Sequence, residues 1–270
     1  MSTLLEARGV CISFGGLKAV TDFDLGLPPG ILHGLIGPNG AGKTTIFNLL
    51  TGVYQPTAGA IRLDARPLVG LSPHRIAEAG VARTFQNIRL FPDLSVLDNV
   101  RIACHLRGRH TLASTILRLP GHVREEKKIL DRSRELLSLF GLESRADEAA
   151  RFLPYGDQRR LEIARALATG PRVVLLDEPA AGMNPQETRS LAELIRWVRD
   201  TFSLTILLIE HDMGLVMEIC DRITVLDHGV TIAEGVPSAI QNDRAVIEAY
   251  LGEPVDAAGG APPAPGPEPA

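Results

Sequence analysis

The chain is poor in residues that would build a covalent or metal-held framework. It has three cysteines, Cys11, Cys104 and Cys220, an odd number spread widely over 270 residues, which argues against a disulfide scaffold or a zinc site. Each lies in an apolar run, so buried free thiols and a reducing, cytosolic compartment are expected. Aromatic residues are 4% of the chain, so the core must be mainly Leu, Ile, Val and Ala. Long apolar runs are missing too. Stretches such as Thr205–Glu210 fall far short of the ~20 residues that span a bilayer. The N-terminus lacks the basic and apolar regions of a signal peptide. The chain is therefore expected not to cross a membrane by itself. Positive charge is not in excess: the net charge is -4, which leaves no overall basic field for nucleic acid. Lysine is scarce, occurring at Lys18, Lys43, Lys127 and Lys128 in an arginine-rich chain.

What is present suits a globular α/β protein. Hydrophobic residues are 45% and charged residues 22%, and the length supports one sizeable domain with a real core. Strand and helix patterns alternate. Leu4–Phe14, Val20–Leu27, Ile31–Gly37 and Ala58–Asp64 read as strands; Lys43–Leu50 and Ser72–Gly80 read as helices, the latter ended by Gly80. From about Val96 to Arg151 the character changes to helical periodicity, with Gly141 as a C-cap and no convincing strand, as in an inserted helical subdomain. Within it, Leu106–Arg124 is basic and amphipathic and reads as a solvated face rather than a lipid-contacting patch. The α/β pattern returns with the nearly all-apolar Arg172–Asp177, Leu204–Glu210 and Arg222–Asp227, typical of central parallel strands. Residues 255–270 are Pro, Ala and Gly with little to pack, and are expected to be a disordered tail.

Two short segments carry chemistry. Gly37–Thr45 reads GPNGAGKTT, a G-x-x-x-x-G-K-[ST] pattern placed after a strand and before a helix. Gly37, Gly40 and Gly42 let the backbone curl around an anion, so that the N–H groups of Gly37, Pro38-flanking residues Asn39 and Gly40, Ala41, Gly42, Lys43, Thr44 and Thr45 face a phosphate chain together with the helix N-terminus. Lys43 supplies a point charge for the β and γ phosphates and Thr44 a hydroxyl for Mg²⁺. In a chain with so few lysines, Lys43 in this loop is not accidental. The second segment is Val173–Pro179, four apolar residues followed by Asp177 and Glu178, at the strand end where open α/β sheets bind ligands. Asp177 suits Mg²⁺ through its water shell. Glu178, expected on the opposite face of the strand, suits a general base for water.

Taken together, these segments and those that follow resemble the ABC ATPase family over roughly Leu4 to Pro254. Gln86, in VARTFQNIRLF, resembles the glutamine of the Q-loop, which reaches Mg²⁺ and the attacking water. Leu153–Leu167, LPYGDQRRLEIARAL, resembles the signature motif and its helix, whose N-terminus faces the ATP of a second subunit. Here Pro154, Tyr155 and Asp157 replace the usual serine, glycine and glutamine. Side-chain contacts to phosphate are thereby removed, and the backbone around Tyr155, Gly156 and Asp157 is left to meet the nucleotide. His211, after a strand, resembles the switch histidine; Ala180–Pro185 resembles the D-loop, with Asn184 where Asp is common; Phe14 resembles the aromatic that stacks on adenine, though it reads equally well as core.

The resemblance implies a P-loop NTPase core with an antiparallel β subdomain and an inserted α-helical subdomain. The ATPase domain would span residues 1–254, its helical part about 96–156. It implies ATP and Mg²⁺ as ligands, with Mg²⁺ on Thr44, Gln86 and Asp177 and hydrolysis carried by Glu178, His211, Gln86 and Lys43. Arg83–Val100, the signature, Gly182–Pro185 and the ending Val246–Gly252 are most similar to branched-chain amino acid importers of bacteria. That implies a second ATPase subunit, identical or paralogous, two transmembrane permease subunits and an extracytoplasmic binding protein, with this chain peripheral on the cytoplasmic face of the inner membrane. Related ATPases serve importers of urea or short amides and lipopolysaccharide export. Chromosome-maintenance and ribosome-associated ABC proteins need long heptad segments or tandem ATPase domains, and this chain has neither. An inactive nucleotide-binding regulator would be expected to lack Glu178, Lys43 or His211.

Overall fold

A computed structural model describes residues 3–107 and 120–251. The proposed tail at 255–270, and residues 108–119 of the basic stretch, lie outside the described residues.

Two sheets form the body. The first is antiparallel, in the order β2-β1-β4-β5, made of β1 (Leu5–Phe14), β2 (Leu17–Leu27), β4 (Ala58–Leu63) and the short β5 (Arg66–Pro67). The hairpin of β1 and β2 closes through Gly15 at φ 59°, which lets β2 begin at Leu17, three residues ahead of the expected start. The second sheet has the order β10-β9-β3-β8-β7-β6. Its strands are β3 (Leu32–Ile36), β6 (Val81–Arg83), β7 (Val173–Asp177), β8 (Thr205–Ile209), β9 (Arg222–Asp227) and β10 (Val230–Gly235). The five strands from β9 to β6 run parallel, and β10 is antiparallel at the edge.

The apolar runs are explained by cover on both faces of this second sheet. Val173, Leu175, Leu207 and Ile209 face a core shared with the antiparallel sheet and with Ile46, Phe47, Leu49 and Leu50 of α1 (Lys43–Leu50). Their neighbours Val174, Leu176, Ile206 and Leu208 face a second core built with the helices between β6 and β7 and those after β7. The period of two along each strand therefore divides one apolar run between two cores.

Among the described residues the α-helices between β6 and β7 are α3 (Val96–Cys104), α4 (Pro120–Leu139) and α5 (Tyr155–Ala168), and no strand intervenes between Val96 and Ala168. Ser95 caps α3, accepting from Asp98 N at 3.0 Å. Gly141 follows α4 at φ 69° and Gly80 follows α2 (Pro73–Ala79) at φ 116°. Both therefore end their helices in the left-handed conformation expected of them. After β7 come α6 (Pro185–Phe202), α7 (Met213–Ile219), α8 (Pro237–Gln241) and α9 (Arg244–Leu251). Cys104 and Cys220 are buried free thiols, and burial pushes the Cys220 thiol up to about 12. Cys11 is half-buried, against expectation, because strand alternation puts it on the face of β1 opposite the buried Val10 and Ile12.

Candidate functional site

The order β3-β8-β7-β6 places four adjacent parallel strands side by side, and each delivers one candidate segment at its C-terminal end. The loop Gly37–Thr45 leaves β3, His211 follows β8, Asp177 and Glu178 close β7, and Gln86 follows β6. Residues far apart in sequence thus meet along one sheet edge, the place where open α/β sheets bind ligands.

The phosphate loop depends on its glycines. Gly37 sits at φ 148°, and a Cβ there would lie 2.0 Å from Leu226 O. Gly42 sits at φ 103°, and a Cβ there would lie 2.9 Å from Ala19 O. The loop is pressed between the start of β2 and the β9–β10 turn, where Gly229 N donates to Ala41 O at 2.9 Å. Lys43 is buried, and its Nζ donates to Gly37 O at 2.6 Å and Pro38 O at 2.8 Å, which folds the ammonium back into the nest. Asn39, Gly40, Ala41, Gly42, Lys43, Thr44 and Thr45 line a cavity of about 190 Å³, and Glu178 and His211 form its other wall.

Glu178 is not on the strand. It lies one residue past β7 with φ 44°, held by its N–H on Ile209 O at 2.9 Å. This corrects the expectation that strand alternation aims it. A left-handed turn does so instead, a costly backbone state for a non-glycine residue and one that clusters at functional sites. The turn brings its carboxylate between His211 and Gln86: His211 Nε2 is 2.7 Å from Oε1, and Gln86 Nε2 donates to Oε2 at 2.5 Å. Asp177 is nine-tenths buried and takes a hydrogen bond from Arg83 Nη2 at 2.7 Å, while Arg83 Nη1 reaches Asn48 Oδ1 on α1 at 2.7 Å.

The signature helix α5 begins after Pro154, which offers no side-chain cap. Its first N–H groups form an open, dipole-backed end suited to an anion from outside the chain. Asp157 does not aim at that end freely. Its carboxylate is paired with Arg160 at 3.6 Å and Arg145 at 3.8 Å, which offsets its negative charge. Tyr155 is exposed, and its hydroxyl donates to Ala181 O at 2.8 Å. Phe14 is 44% exposed and meets Tyr54 edge-on with centroids 5.1 Å apart, so it is a surface aromatic and not core.

Sequence reasoning missed Arg83 and Glu210. Glu210 is buried; it accepts from Ala180 N at 2.7 Å and from His211 N at 3.1 Å, joining the segments after β7 and β8. Burial pushes its carboxyl above the usual range, against these hydrogen bonds. Its adjacency to His211 was the available signal.

The residues fit a nucleotide with its metal. The nest, the buried lysine and the cavity fit phosphates. Among the described residues no cluster of three or more His, Cys, Asp or Glu could hold a metal alone. A cation beside the phosphates would take oxygen ligands, which Thr44, Gln86 and Asp177 can offer.

A parallel sheet whose C-terminal edge carries a lysine-bearing anion nest beside an acidic strand end defines a P-loop nucleotide-binding protein. Residues 20–181 match the family described as ABC transporter, and residues 230–256 match the one described as Branched-chain amino acid ATP-binding cassette transporter. The chain belongs to the ABC transporter ATP-binding family. It is 50% identical over 250 residues to the high-affinity branched-chain amino acid transport ATP-binding protein LivG of Escherichia coli (strain K12), covering 93% of this chain and 98% of that protein. It is 46% identical to the corresponding protein BraF of Pseudomonas aeruginosa, with the same coverage. A crystal structure of the ADP conformation of an ATP-binding cassette of an ABC transporter superposes with TM-score 0.82 at 27% identity, covering 94% of this chain and 100% of that one.

Proposed function

We propose that this chain is the ATP-hydrolysing subunit of an importer of branched-chain amino acids, working as one half of a nucleotide-sandwiching pair at the cytoplasmic face of the inner membrane. The observation that carries the reading is the shared cavity, in which the Lys43 loop faces Glu178 and His211, in a chain half identical to a branched-chain amino acid transport ATP-binding protein.

The geometry supports the following roles. The loop amides and Lys43 bind the phosphates, and Lys43 exchanges its contacts with Gly37 O and Pro38 O for phosphate oxygens. Phe14, already exposed, offers its face to adenine. Glu178 accepts a proton from water attacking the γ-phosphate, with His211 and Gln86 fixing its two oxygens. Thr44, Gln86 and Asp177 would hold Mg²⁺, which would supply charge neutralisation at the transferred phosphoryl group when bound. The uncapped end of α5, around Tyr155, Gly156 and Asp157, closes over the nucleotide of a second ATPase subunit. No helix among the described residues is long and apolar enough to cross a membrane. Two permease subunits therefore provide the pathway, and an extracytoplasmic binding protein delivers the cargo. The permeases dock in a groove of about 610 Å³ lined by Phe85, Arg89, Phe91 and Ile102, beside the helical part at about 96–156 of a domain spanning 1–254.

The test is uptake by proteoliposomes holding this chain with its permease subunits and binding protein. Labelled leucine should accumulate with ATP. Arg89→Glu should abolish accumulation while ATP affinity stays within about twofold. Uptake of urea or a short amide instead of leucine would replace the cargo, and full leucine uptake by Arg89→Glu would move the docking site.

A further inference from the structure

Helix α5 carries a buried ion pair for which hydrolysis has no direct use. The Arg159 and Glu162 side chains are each 1% exposed and lie 2.7 Å apart. Three of their further bonds go to one place. Arg159 donates to Phe85 O at 3.0 Å and to Gln86 O at 3.1 Å, and Glu162 accepts from Phe85 N at 3.2 Å. Two consecutive residues of the Q-loop are thereby fixed to α5 by three hydrogen bonds on their backbone. The Gln86 side chain then reaches Glu178. A second arm leaves the same arginine: Nη2 donates to the Tyr155 hydroxyl at 3.2 Å, which itself donates to Ala181 O, three residues past Glu178.

We propose that Arg159, Glu162 and Tyr155 are positioning residues that bind the Q-loop and the D-loop to the signature helix as one body. Closure of α5 on the neighbouring subunit's nucleotide then sets Gln86 and Glu178 from both sides. The inference rests on the ATPase reading given above. Buried ion pairs are poor sources of stability, since apolar replacements are often neutral. This pair instead directs its hydrogen bonds to loop backbone, as a network that fixes a loop does. Tyr155, which stands where the family commonly has glycine, supplies the one oxygen that joins the two arms.

Two variants of the full chain test this. Arg159→Met with Glu162→Leu keeps the volume apolar and is expected to fold. Its kcat for ATP should fall about tenfold or more while Mg-ATP affinity stays within about twofold. Amide exchange should rise about tenfold over residues 83–90 and stay unchanged in the phosphate loop. Tyr155→Phe removes a single exposed oxygen, and should lower kcat roughly threefold or more at constant KM. A folded double variant with kcat within twofold and unchanged exchange overturns the proposal. If the double variant does not fold, unchanged kcat in Tyr155→Phe overturns it alone. The exchange measurement needs no nucleotide, so it still decides the question if the unmodified chain proves unable to hydrolyse ATP. That result would overturn the ATPase reading instead.

Discussion

Arg83 shows how much of the site depends on a residue with no role in the family motifs. It joins Asp177 on β7 to Asn48 on α1, and the Arg83 and Asp177 side chains are 8% and 6% exposed. Removing one partner of a buried pair leaves a stranded charge and costs about 3–5 kcal/mol. Arg83→Leu should therefore lower the unfolding free energy by that much, measured by urea unfolding; a loss below about 1 kcal/mol would mean that Asp177 is already solvated. His33 makes a second residue-scale prediction. It is buried on β3 with Nε2 on Thr224 Oγ1, and burial, aided by Arg222, lowers its pKa from 6.5 to about 4. Between those values the unfolded chain takes up a proton that the folded chain refuses. Stability is complete above pH 6.5 and is lost as pH falls toward 4, by about 3 kcal/mol. Comparing unfolding of the parent with His33→Leu across this window should show a slope in the parent that the variant lacks. Neither residue was legible in the sequence as special, because each acts through a partner on another strand or helix: Asp177 lies 94 positions from Arg83, and Thr224 lies 191 from His33.

Elements with strong local signals were legible and those set by tertiary packing were not. The central strands announced themselves as apolar runs, and Gly80 and Gly141 marked helix ends. β6 has three residues and β10 is only half-buried, so neither carries a pattern that stands out from loop sequence. The turn at Glu178 was misread as strand, because a positive φ at glutamate follows from its surroundings and not from its own preference. Asn184 keeps a capping oxygen at the position where the family commonly has Asp. Its side chain accepts from Gln186 N at 2.9 Å and Glu187 N at 3.0 Å, and Glu187 returns a bond to Asn184 N at 2.9 Å. This capping box starts α6 directly after the D-loop. Asn184→Ala should cost about 1 kcal/mol of stability, read as a lowered thermal midpoint, and Asn184→Asp should restore it. An unchanged midpoint would mean that packing of the buried face of α6 holds the helix start without its cap.

At the scale of the whole molecule, strand order gathers the site. Four parallel neighbours bring the anion nest, His211, Glu178 and Gln86 to one edge, while α5 presents an end that Pro154 leaves without a side-chain cap. The motifs were legible because each is local and chemically unusual. Their convergence was not, because it depends on which strands lie side by side. One chain has the loop that holds phosphate and the helix end that should cover it, and the account requires the second to act on a neighbouring copy or paralogue. Sedimentation of Glu178→Gln measures this most directly. The variant should run as a monomer without nucleotide and as a dimer with saturating Mg-ATP, and Lys43→Ala added to it should abolish the shift. A Glu178→Gln chain that binds Mg-ATP fully and remains monomeric at every concentration tested, both alone and mixed with a paralogous ATPase subunit, would contradict the account.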